Sequence, residues 1–121
     1  MSNPATLNFV RTADNPCIKG VTFRTSLTCY DDADGTVPSD LTGLIGRVRI
    51  WDGETKIWEG TSPNGGVTIT ALSGTIAIEI SATVTDTFAI KTYHIDIDLV
   101  DTAPNPDEVD RIAHGDFEVV R

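Results

Sequence analysis

Along most of this chain apolar and polar residues alternate one for one, and the three-to-four spacing of an amphipathic helix is nearly absent. In TYHIDIDLVD, Tyr93, Ile95, Ile97 and Leu99 fall on one side, with His94, Asp96 and Asp98 on the other. The pattern predicts strands at 6–11 and 21–30, the second with Val21, Phe23, Leu27 and Cys29 on one face. LIGRVRIW puts Leu44, Val48 and Ile50 in step against Arg47, Arg49 and Trp51, and KIWEG returns across the turn DGET, so 44–60 reads as a hairpin. Short strands follow at 67–69 and 75–80, the latter with Ile76, Ile78 and Ile80 inward, then 92–101 and 109–120. Alternation lapses at 81–88, where Ser81 is placed to cap one helical turn. Gly115, inside the last strand, predicts a bulge.

Seven to nine short strands, with turn signals every 8–12 residues or so, predict an all-β antiparallel sandwich. The 121 residues suit one domain over 6–121 behind a loose tail at 1–5. Tyr93 opens a long inward-facing strand just after an irregular crossing. Immunoglobulin-like sandwiches place a tyrosine there, its hydroxyl bonded back to that crossing. Ile95 stands two residues on, where antibody domains have a cysteine.

Charge narrows the choice of partners. Nine Lys and Arg against eighteen Asp and Glu give a net charge of -9, which opposes phosphate backbones and anionic membrane surfaces. No stretch has the length of a membrane span, and MSNPATLNFV lacks the basic start and apolar run of a signal peptide. The expectation is a soluble protein made in a cytoplasm. Cys17 and Cys29 are too few for the usual four-ligand zinc site and read as two reduced, partly buried side chains.

Three groups of residues invite chemistry. YDDADG resembles the start of a calcium loop, but Tyr30 and Leu41 stand where two main ligands belong, so we read it as an aspartate-stabilised turn. His94, Asp96 and Asp98, about 7 Å apart along one strand face, face His114 and Asp116 if the last hairpin pairs favourably. That set is read as a solvated strand face rather than a metal or acid–base site, replaceable by Thr or Ser with the fold intact. Trp51 and Trp58 flank the DGET turn and serve as a contact patch, a sugar-stacking platform or hairpin-end packing. No catalytic residue, metal ligand or cofactor is assigned.

In order, VTFRTSLTCYDDADG, RVRIWDG, NGGVTITALSGTIAIEIS, YHIDIDLVD and RIAHGDFEVV resemble a group of small tailed-phage and prophage proteins. That group is similar to the immunoglobulin-like N-terminal domain of baseplate upper proteins. Relatives usually end L-x-G-x-V-x-V; here Ala113 and Phe117 depart from that pattern. The resemblance covers residues 18–121 and implies a non-enzymatic virion component of tail, baseplate or fibre attachment. Its implied partners are other virion proteins and copies of itself. Capsid decoration is the alternative within the same fold; carbohydrate or host-surface binding is the alternative from another class.

Overall fold

A computed structural model describes residues 10–11, 16–32, 34–63 and 65–121. The tail expected at 1–5 and the start of the strand expected at 6–11 lie outside the described residues.

Two sheets face each other. The larger has the order β1 (Val10–Arg11), β9 (Glu108–Val120), β8 (Thr92–Asp101), β4 (Leu44–Asp52), β5 (Thr55–Thr61), and β2 (Cys17–Ile18) also pairs with β9. β1 and β2 run parallel to β9, and the other pairs are antiparallel. The smaller sheet is β3 (Phe23–Thr28), β7 (Thr75–Ile80), β6 (Val67–Thr70), antiparallel throughout. The chain is an all-β sandwich, as its alternation predicts.

Alternation fixes which side chains meet between the sheets. Phe23, Ile76, Ile78 and Ile80 from the smaller sheet bury against Val48, Ile50, Ile95, Ile97 and Phe117 from the larger. Phe23 and Phe117 cross edge to face with ring centroids 5.2 Å apart, a geometry that adds to area burial. Gly46 sits where β6 packs against β4. A Cβ there would stand 2.9 Å from Val67 Cγ1, so any larger residue would have to push β4 and β6 apart.

Ser81 accepts from the Val84 amide and caps a single turn, α1 (Ala82–Thr85). This turn forms part of the crossing from β7 to β8. At its far end Tyr93 Oη donates to the Ala89 carbonyl at 2.9 Å, tying the start of β8 back to the crossing. Cys17 and Cys29 are free and fully buried, and burial pushes both thiols up to about 11.

Gly115 does not bulge. It pairs in register with Ile95 on one side and Val10 on the other. The irregularity lies three residues earlier. Asp98 opposes Arg111 while Ile97 opposes Ala113, so Ile112 is the extra residue. A second irregularity, between Ile50 and Trp51, shifts the β4–β5 pairing by one. A shift of one residue turns every later side chain to the other face of its sheet. Both bulges therefore decide what reaches the outer surface.

Candidate contact surface

The outer face of the larger sheet carries Arg47, Arg49 and Trp51 from β4, His94, Asp96 and Asp98 from β8, and Arg111 and His114 from β9. Because Ile112 is bulged, Arg111 lies directly across from Asp98. Asp98 Oδ2 accepts from Arg47 Nη2 at 2.9 Å and Arg49 Nη2 at 3.2 Å, while Oδ1 accepts from Arg111 Nε at 2.9 Å. Arg111 Nη2 also approaches Asp96 Oδ2 at 3.5 Å, and His94 Nε2 lies 2.8 Å from Asp96 Oδ1.

This face is not the solvated one that alternation suggests. Asp98 has 0% exposure and Asp96 6%, against 47% for the His94 side chain. The cause is side-chain length. Arginine stems from both neighbouring strands lie along the sheet and cover the short aspartates between them. Burial acts to raise the Asp98 pKa, but hydrogen bonds from Arg111 and Arg47, the Arg111 charge and the Arg49 hydrogen bond outweigh it, so the carboxyl sits below its ordinary range. A carboxylate held by three guanidiniums has no lone pair presented to a substrate and serves as the keystone of an ion network. Replacing it by Thr or Ser, harmless on a wet face, here takes the shared anion from three arginines and leaves Arg49 with Glu59 and Arg111 with Asp96.

The two tryptophans separate. The turn Gly53–Glu54 has two residues, with φ 61° at Gly53, and sets Asp52 opposite Thr55 and Trp51 opposite Lys56. Unbroken, that register would set Trp58 opposite Arg49, on the outer face beside Trp51. The bulge sets it opposite Ile50 instead, and Trp58 packs inward against the core. The sequence offers no sign of the bulge, so the two residues look equivalent from their spacing alone.

Trp51 is half-buried on the outer face, next to His94, with the Arg49 guanidinium carbon 5.8 Å from its ring centroid. Trp51 Nε1, Arg47 Nε and Arg49 Nε are enclosed, and no acceptor among the described residues is within hydrogen-bond reach. Arg49 Nε keeps an ion-pair contact with Glu59 Oε1 at 3.8 Å, longer than a hydrogen bond. Sequence reasoning missed the arginines because their role appears only once β4, β8 and β9 are placed side by side.

The other sequence candidates resolve locally. Asp32 accepts from the Thr36 hydroxyl and from the Thr36 and Val37 amides, closing the turn at 32–37. The Thr36 hydroxyl and the Val37 amide hold its carboxyl below the usual range. Among the described residues no three His, Cys, Asp or Glu side chains converge to hold a metal ion. The histidine rings of His94 and His114 lie 5.8 Å apart between centroids.

Charge is unevenly spread. Asp31, Asp32, Asp34 and Asp40 lie between β3 and β4, and Asp101, Asp107, Glu108 and Asp110 lie around the β8–β9 turn, with no basic residue in either stretch. The pairings Leu44 with Asp101 and Thr28 with Thr75 put those connections at one end of the sandwich, while Trp51 and the DGET turn stand at the other. No protein-family model matches this chain, and no curated protein matches it either.

Proposed function

We propose that this chain is a non-enzymatic structural module of a tailed-phage particle, an immunoglobulin-like sandwich that acts through protein–protein contacts. Its partners are other virion proteins and copies of itself, joined in the particle after synthesis in the host cytoplasm. The strand order β1-β9-β8-β4-β5 over β3-β7-β6, with a tyrosine at the start of β8 bonded back to the preceding crossing, supports the immunoglobulin-like part of this reading. The motif order quoted above supports the virion part.

One observation carries the contact reading: Trp51 lies on the outer sheet face beside Arg49 and His94, in line with Arg47 and the arginine network around Asp98. Trp and Arg are the residues that dominate binding energy at interfaces. The network beneath holds the arginines in place, so little side-chain freedom remains to be lost on docking. The acidic surplus gathers at the opposite end, away from this patch.

Mass spectrometry of purified particles should find the chain at fixed stoichiometry. Trp51→Ala should give a soluble, folded domain that is under-represented in particles, because losing an interface anchor costs about 2 kcal/mol or more, roughly thirtyfold in affinity. A folded Trp51→Ala variant that incorporates at the wild-type level, or a chain absent from particles, would overturn the proposal.

A further inference from the structure

A cleft of about 500 Å³ opens on the side of the molecule away from Trp51. Trp58 forms one wall and α1, through Ser81 and Val84, another, with Ala77 and Thr68 on the outer face of the smaller sheet between them. The indole is fixed in place by glycine. A Cβ on Gly60 would stand 2.4 Å from Trp58 Cη2, and one on Gly66 3.3 Å from Cζ2, so both backbones approach the ring as closely as glycine permits. Gly60 and Gly66 thus let the backbone close on one tryptophan at the edge of an open depression.

Around that wall the polar groups are mixed in sign and in hydrogen-bonding sense. Arg24 and Glu79 form an exposed pair at 3.1 Å and line the cleft together with Thr68 and Ser81, which carry hydroxyls. Guanidinium N–H groups donate, carboxylate oxygens accept, and hydroxyls do both. The paired charges cancel, which disfavours an anionic ligand. The cleft is too open to enclose an apolar molecule in the way that lipid or drug-like ligands require.

We infer that this cleft binds a neutral saccharide, with one pyranose ring laid against Trp58. A sugar ring has an apolar face of C–H groups that suits an indole, and an edge of hydroxyls that both donate and accept. The hydroxyl-lined cleft and the Arg24–Glu79 pair meet the edge while Trp58 meets the face. The site is independent of the contact role of Trp51: it lies on the other side of the β4–β5 hairpin and shares no residue with the arginine network.

The test uses the full chain carrying Trp51→Phe, so that Trp58 is the sole source of tryptophan emission. Chitotetraose and maltotetraose are the probes, read by fluorescence titration and by saturation-transfer NMR. At least one should give a saturable change with a low-millimolar dissociation constant, the affinity a single ring attains at ordinary ligand efficiency. Ala77→Arg fills the cleft from an exposed strand position that tolerates substitution, and should weaken binding at least tenfold with the melting temperature little changed. Trp58→Leu, if folded, should abolish the NMR signal. Absence of saturable binding by either probe, or binding that survives Ala77→Arg, would overturn the inference.

Discussion

The two outer faces of the sandwich are built from strands of similar alternation and reach opposite states. On the larger sheet, carboxylates on β8 lie between arginines on β4 and β9, and Asp98 vanishes beneath them. On the smaller sheet, Glu79 of β7 has Arg24 as its cross-strand neighbour, and the remaining positions are Ser26, Thr28, Thr68, Thr70, Thr75 and Ala77. Arg24 is the one long basic side chain among these positions and flanks Glu79 from one strand alone, so both members of the Arg24–Glu79 pair stay more than half exposed. The number and length of the neighbours, rather than the polarity of the position, decide whether a charge on a sheet face is wet or enclosed.

That difference should appear first as stability. Asp98→Ala removes the carboxylate that Arg47 and Arg49 share and should cost about 3–5 kcal/mol, measured by urea unfolding of the isolated domain. A loss under about 1 kcal/mol would mean that water reaches the arginines and the face is solvated after all. Acid provides a second, smaller separation. The folded Asp98 pKa is lowered, so its contribution is complete above the ordinary carboxylate value of about 3.9 and is lost as pH falls below it. Wild-type stability should therefore drop below about pH 4, and Asp98→Asn should flatten that part of the profile. An unchanged slope in Asp98→Asn would sink the assignment. Smallest of all, Glu79→Ala should change stability by less than about 0.5 kcal/mol, since its ion pair is exposed. A larger loss would erase the distinction between the faces.

Much of this architecture was legible from period alone. A period of two placed Phe23, Ile50, Ile76, Ile78, Ile80, Ile95 and Ile97 in the core, and the lapse after Ile80 marked the crossing that α1 occupies. What could not be read was register. Single extra residues, Ile112 in β9 and the step at Ile50/Trp51, carry Arg111 over Asp98 and turn Trp58 away from Trp51. A bulge leaves alternation intact on either side and shows only in the pairing. The candidate surface was half visible for the same reason. His94 is as exposed as alternation implies, while Asp96 and Asp98 are enclosed by residues thirteen to fifty-one positions away in the chain.

Cys17 and Cys29 lie near opposite ends of the sandwich, one paired with Val119, the other just beyond Thr28, where its amide donates to the Gly74 carbonyl. Both thiols are sealed, and their raised pKa leaves almost no thiolate at neutral pH. A thiol reagent therefore reacts at either site only while that end is open, and the two modification rates become separate clocks. Equal rates would mean that the sandwich opens as one unit. A faster Cys17 would mean that the short parallel strand β2 peels from β9 while the rest stays closed.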